Sequence, residues 1–229
     1  MPQDHRPRFW LRLLGAIAAL AIVTVLGLVI VAHPAWTSEE LEVVAAVHGA
    51  SNSFLDVIAL GINAGLGPNG APFIVLLALA WTLLLTRSWR RTLRVGLVIG
   101  IPWVIAELLK EVVQRPRPDA TQLAPMIVGD PTTYSYPSGH TAFAAALSCA
   151  VVLVLTTGRA RTISIVAGSV LVLLTAWSRV YLGVHYPTDV TASTVLVPFL
   201  AIATSRLTRP WLEPVTSPPT SAVAVEMEG

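Results

Sequence analysis

A single cysteine, Cys149, occurs in the 229 residues, so no disulfide can form within the chain. It falls in the middle of an apolar run, where a small core residue is the expectation. Charge is also scarce: Asp, Glu, Lys and Arg make up 12% of the sequence, against roughly 25% in a soluble globular domain. With 54% hydrophobic residues and a mean hydropathy of +0.69, that scarcity excludes an ordinary soluble domain and points to a chain that crosses a membrane repeatedly. No lysine or arginine lies between His33 and Ala71, no internal repeat is visible, and the motif blocks lack a His or carboxylate cluster at metal-ligand spacing.

Apolar runs predict six membrane-spanning helices, from about Leu13 to Ala32, Pro72 to Thr86, Leu93 to Leu109, Gly139 to Thr156, Ile163 to Leu182 and Pro187 to Thr204. A span needs about 20 residues, which leaves the second and third runs short. The expected fold is all-α, a polytopic six-helix membrane bundle over residues 1–209. A disordered cytoplasmic tail, rich in Pro, Ser and Thr, is expected over residues 210–229. Arg6, Arg8 and Arg12 resemble the positive end of a signal peptide, but the apolar stretch exceeds the usual length of roughly 7 to 15 residues. The first run is therefore read as a retained anchor.

Positive charge sets the orientation. Six spans put Arg6, Arg8, Arg12, Arg87, Arg90, Arg91, Arg94, Arg159, Arg161, Arg206 and Arg209 on one side, which the positive-inside rule makes cytoplasmic. The remaining four of the 15 Lys and Arg residues, Lys110, Arg115, Arg117 and Arg179, face outward.

Between the first two runs, Thr37 and Glu40 have capping-box spacing at the head of a helix that carries Leu41, Val44 and Val47 and stops at Gly49. A second stretch, Ser53 to Ile62, sets Phe54, Leu55, Ile58 and Ile62 on one face. Both are read as short amphipathic helices on the outer membrane surface. Two roles stay open for them, a folded cover without substrate contacts and a part in lipid access.

The chemistry-bearing residues gather in three stretches: KEVVQRPRP (Lys110 to Pro118), PSGH (Pro137 to His140) and SRVYLGVHYPTD (Ser178 to Asp189). They hold fixed cations (Lys110, Arg117, Arg179), two histidines (His140, His185), a carboxylate (Asp189) and a Ser138-Gly139 turn that opens a helix. A phosphate ester resists nucleophiles because its oxygens are negative. A catalyst must offset that charge, align a nucleophile and protonate the leaving oxygen. Arginine offers phosphate a planar fork, whereas lysine acts as a point charge. Ser138 is expected to cap the fourth span, leaving the N–H groups of Gly139 and His140 facing outward as an anion site. Pro187 suits the first turn of the last span and brings Asp189 to that helix's N-terminus. Taken singly, each residue has a plain structural reading: His185 as an interfacial polar group, Asp189 as a cap, Lys110 as a partner of Glu107, Arg117 as a headgroup anchor. Their coincidence on one face favours catalysis.

The order and spacing KxxxxxxRP, PSGH, SRxxxxxHxxxD resembles the signature of the type 2 phosphatidic acid phosphatase (PAP2) superfamily, which includes integral-membrane lipid phosphatases, soluble acid phosphatases and vanadium haloperoxidases. The resemblance covers Lys110 to Asp189 and the flanking spans. It implies that His185 is the nucleophile and forms a phosphohistidine, that Asp189 orients its ring, and that His140 protonates the leaving group. Lys110, Arg117, Ser138, Gly139 and Arg179 would hold the phosphoryl oxygens; no metal or other cofactor is implied. The protein so implied is a multi-pass lipid phosphatase of a bacterial inner membrane with its site on the extracytoplasmic face. It looks most like members acting on polyprenyl pyrophosphate such as undecaprenyl pyrophosphate, with phosphatidylglycerol phosphate, phosphatidate and diacylglycerol pyrophosphate as alternatives. Its partners are then the lipid phosphate and the membrane, not nucleic acid. Phosphotransfer to a lipid or sugar acceptor and transport by binding alone are the competing functions.

Among the other residues, Arg115 is read as the holder of a second phosphate or as a solvated neighbour, and Glu107 as an ion-pair partner of Lys110. Tyr136 and Tyr181 are candidates for the lipid entrance, and the 7 tryptophans for an aromatic belt.

Overall fold

A computed structural model describes residues 6–212 except 124 and 130, so the expected tail lies largely outside the described residues. The helices are α1 (Arg6–Ala32), α2 (Pro34–Gly49), α3 (Ser53–Leu66), α4 (Gly70–Thr86), α5 (Trp89–Val113), α6 (Gly139–Ala150), α7 (Gly158–Tyr181) and α8 (Pro187–Leu212). α6 continues into a π-helical turn, Val151–Leu155. No strand occurs among the described residues.

The centre of the bundle is α6, because its sequence is small. Ala142, Ala144, Ala145, Ala146 and Ala150 are all buried, and side chains this short let α5, α7 and α8 approach closely. α1 lies across α8 and α5, α4 packs outside α5, and α3 runs along α7. The outer faces are apolar: Leu76, Leu84, Leu173 and Phe199 are exposed. Such a surface suits lipid tails and would be a liability in water.

Four helices, α1, α5, α7 and α8, are long and apolar enough to cross a membrane. The chain is thus a multi-pass membrane protein, but length alone does not reach the expected six. α4 has 17 residues, and α6 with its π turn is similarly short. The third run, short by hydropathy, belongs to a 25-residue helix because Trp89–Thr92 and Lys110–Val113 extend it at both ends.

The segment after α1 departs most from expectation. Thr37 does not cap a helix: α2 starts one turn earlier at Pro34, where proline is preorganised for the first turn. Glu40 is consequently released from the capping box and turns inward. α2 and α3 meet at a bend of 118° and together count at most as one broken span. Phe54 is exposed, whereas Ala59 and Leu66 are buried. At the other end of the chain α8 runs to Leu212, past the boundary expected at residue 209.

Two backbone turns place the motif residues. α5 stops where Gln114 adopts a left-handed conformation (φ 53), and Pro116 and Pro118 then hold RPRP off the helix end. After α7, Gly183 at φ 71 reverses the chain and delivers His185 back toward α6. The C-terminal ends of α5 and α7 thus meet the N-terminal ends of α6 and α8, with α2 and α3 against them. At the opposite end Arg94 Nη2 ties α5 to α8, donating to Ser205 Oγ (2.8 Å) and to its carbonyl (3.2 Å).

Candidate active site

The three motif stretches converge on one cavity of about 550 Å³ between these helix ends. Lys110, Arg117, Gly139, His140, Arg179 and His185 line it. Ser138 and Asp189 stand behind this wall, both fully buried.

His185 Nδ1 lies 3.4 Å from Asp189 Oδ2, and its Nε2 lies 3.1 Å from Arg117 Nη1. A guanidinium can only donate, so Nε2 presents its lone pair and Nδ1 carries the hydrogen toward the carboxylate. Burial pushes the His185 pKa well below its ordinary 6.5, and the charges of Arg117, Lys110, Arg179 and His140 push in the same direction. At neutral pH the ring is therefore a neutral base with its lone pair at the cavity. The folded state resists a proton that the unfolded chain accepts, so this group erodes stability as pH falls below about 6.5.

Asp189 does more than cap α8. Its Oδ2 accepts the Tyr186 N–H (2.8 Å) and its Oδ1 accepts Arg115 Nη1 (2.7 Å). Arg115 is only 1% exposed and is held between two carboxylates, Asp189 and Glu40, both at 2.7 Å. It is neither solvated nor part of the cavity wall, which corrects both readings taken from the sequence.

The three cavity cations differ in their commitments. Arg117 spends its five N–H groups on the protein, at Thr133 O (2.7 Å), Thr133 Oγ1 (2.9 Å), Tyr134 O (3.3 Å), Val184 O (2.7 Å) and His185 Nε2. A phosphoryl oxygen held by Arg117 would have to displace one of these contacts. Lys110 Nζ pairs with Glu107 at 2.8 Å, as expected. Arg179 is the most available. Its Nη1 donates to Asn63 Oδ1 (2.7 Å) and its Nε to Ser178 Oγ (3.3 Å), while Nη2 is buried with no partner among the described residues. Leaving such a donor dry is costly. An anion in the cavity removes that cost.

At the head of α6, a Cβ on Gly139 would collide with the Glu107 carboxylate and lie 3.1 Å from Lys110 Nζ. Without a Cβ, Gly139 leaves that space to the Glu107–Lys110 pair. His140 Nε2 lies 3.3 Å from the Asn63 carbonyl oxygen, so this nitrogen carries a hydrogen. Ser138 occupies the cap position without the expected side-chain cap. Its hydroxyl accepts from Thr141 Oγ1 (3.1 Å), its N–H donates to the Asp189 carbonyl (3.0 Å), and its carbonyl accepts from Ser193 Oγ (2.8 Å). The residue stitches α6 to α8.

Tyr136 and Tyr181 do not line an entrance. Tyr136 is buried and its hydroxyl donates to the Val23 carbonyl of α1 (2.7 Å); that of Tyr181 donates to Asp56 Oδ1 (2.6 Å). Trp103 leaves the belt for the cavity wall, with its ring 5.0 Å from that of Phe143. Two site residues were not foreseen as such: Glu40, whose capping-box spacing pointed to another role, and Asn63, which carries no local signal.

The chain belongs to the PAP2 superfamily, whose family model matches residues 91–213. Undecaprenyl-diphosphatase BcrC of Bacillus subtilis is 33% identical over 180 residues, which cover 75% of this chain and 87% of that protein. Decaprenylphosphoryl-5-phosphoribose phosphatase of Mycolicibacterium smegmatis is 40% identical over 104 residues, 45% of this chain and only 51% of that one. Among solved structures, the crystal structure of a transmembrane PAP2-type phosphatidylglycerolphosphate phosphatase from Bacillus subtilis superposes with a TM-score of 0.70 over 88% of this chain and 97% of the other. At 23% identity that likeness is one of fold.

Proposed function

We propose that the chain is a lipid phosphatase that hydrolyses polyprenyl pyrophosphate to the monophosphate through a phosphohistidine. The observation that carries this reading is the pairing, in one cavity, of the buried, unpartnered Nη2 of Arg179 with the lone pair of His185 Nε2. Nε2 attacks phosphorus, the bond to the leaving oxygen breaks, and His140 gives that oxygen a proton. Water then takes the phosphoryl group from Nε2, with His140 accepting the proton. Lys110, Arg117, Arg179 and the N–H groups at the head of α6 meet the charge of the oxygens throughout.

Phosphate release in detergent tests this reading. The panel comprises undecaprenyl pyrophosphate, phosphatidylglycerol phosphate, phosphatidate, diacylglycerol pyrophosphate, a polyprenylphosphoryl phosphoribose and a water-soluble phosphate ester. Turnover should be fastest on the pyrophosphate, poor on the soluble ester, undiminished by excess EDTA and inhibited by vanadate. A requirement for added magnesium would overturn the metal-free route; a preference for phosphatidylglycerol phosphate or the phosphoribose lipid would overturn the substrate alone. The pH profile of kcat/KM should show an acid limb set by His185. Because the His185 pKa is depressed, its acid limb should begin below pH 6.5. A limb centred at or above 6.5 would contradict a neutral, buried nucleophile.

The reading also places the site on the extracytoplasmic side of a bacterial inner membrane, on the distribution of arginine. In a Cys149→Ala background, Gln122→Cys should react with an impermeant maleimide in intact cells and Ala160→Cys should not. Labelling of Ala160→Cys alone would put the site in the cytoplasm.

A further inference from the structure

Arg115 is as enclosed as Arg179, yet it faces away from the cavity. Its Nη1 donates to Asp189 Oδ1 and to Thr188 Oγ1, both at 2.7 Å, and its Nη2 donates to Glu40 Oε2 at 2.7 Å. The guanidinium lies 4.0 Å over the ring of Tyr186. Glu40 is fixed in turn, with Oε1 accepting the Thr188 N–H (2.7 Å) and Oε2 the Thr188 hydroxyl (2.8 Å). A line of charge therefore runs from α2 through Arg115 to Asp189 and ends at His185 Nδ1.

We infer that Arg115, clamped by Glu40, is a positioning residue for the His185–Asp189 pair. The inference rests on the phosphohistidine reading. When Nε2 bonds to phosphorus the ring, with its hydrogen on Nδ1, becomes cationic. The Asp189 carboxylate must then be charged and must keep Oδ2 on that hydrogen. A carboxylate this deeply buried holds its charge only against a fixed partner, and Arg115 is the cation that reaches it at 2.7 Å. The two 2.7 Å bonds from Nη1, to Oδ1 and to Thr188 of the same helix, also fix the carboxylate plane that Nδ1 meets. Glu40 keeps the guanidinium from rotating toward the cavity, where Arg117 and Arg179 already supply positive charge.

The test separates kcat from KM. Arg115→Met should lower kcat about 100-fold, the scale on which removing an outer-shell partner acts, while KM for undecaprenyl pyrophosphate changes less than about threefold. The rate of His185 phosphorylation in a single turnover should fall in step with kcat. Arg115→Lys should recover about a tenth of wild-type kcat, and Glu40→Gln should lose about tenfold. Combining Glu40→Gln with Arg115→Met should cost no more than Arg115→Met alone, because both break one line. If Arg115→Met does not fold in detergent, the Arg115→Lys and Glu40→Gln cycle carries the same test. A raised KM at unchanged kcat would make Arg115 a substrate contact and overturn the inference, as would additive losses or an unchanged kcat. Activity that survives His185→Ala would instead remove the phosphohistidine reading beneath it.

Discussion

Replacing His185 with alanine should lower turnover by a factor on the order of 10⁵, close to background, and leave the protein folded in detergent. The ring supplies the lone pair that faces the cavity, and no other imidazole there is held by a carboxylate among the described residues. The change is structurally mild. Arg117 Nη1 keeps the Val184 carbonyl and Asp189 keeps Arg115 and the Tyr186 N–H, so no buried charge loses all its partners. Asp189→Asn should retain a trace, about 10³- to 10⁴-fold below wild type. Its amide oxygen can still accept from Nδ1 but cannot balance a cationic ring, and in that orientation its amide NH₂ opposes Arg115 Nη1. Phosphate release by the purified variants checks both, with a thermal melt to confirm folding. Hydrolysis by His185→Ala at the wild-type rate would remove the nucleophile.

Arg179→Ala should lower kcat/KM about 10³-fold, the upper range for loss of one preorganised donor to a developing oxyanion. Nη2 is already desolvated and has no partner among the described residues, so it needs no rearrangement to meet a phosphoryl oxygen. Arg179→Lys should recover little. An ammonium cannot donate to Asn63 Oδ1 and Ser178 Oγ and still present a fork to the cavity. Michaelis kinetics on undecaprenyl pyrophosphate measure both, and full activity in Arg179→Lys would show that charge alone matters there.

The parts of this architecture that were legible are those written locally. Hydropathy found α5 to α8, and Gly139 and Pro187 fixed where α6 and α8 start, but α7 begins before Ile163 at Gly158 and α8 runs past Thr204 to Leu212. The spacing of Lys110, Arg117, His140, Arg179 and His185 brought those side chains to one cavity. What stayed hidden depends on distant partners. Glu40 meets Arg115 across 75 positions and Asn63 meets Arg179 across 116, so neighbouring residues gave no sign of either contact. The local pattern misled at Thr37 and Glu40, where capping-box spacing was real but Pro34 had already started the helix. Tyr136 and Tyr181 misled in the same way: an aromatic near a span end looks interfacial, and only the fold reveals that Val23 and Asp56 take their hydroxyls.

The bent α2–α3 hairpin has a consequence for variation among related enzymes. It lies upstream of residue 91, where the family match begins, yet Glu40 reaches toward one histidine through Arg115 and Asp189 while Asn63 touches the other directly. Two proteins can thus share every motif letter and still differ in speed, because part of what steadies the histidines lies outside the stretch that makes them recognisable. If Arg115 positions the His185–Asp189 pair, exchanging this hairpin between relatives should alter turnover without altering a single signature residue.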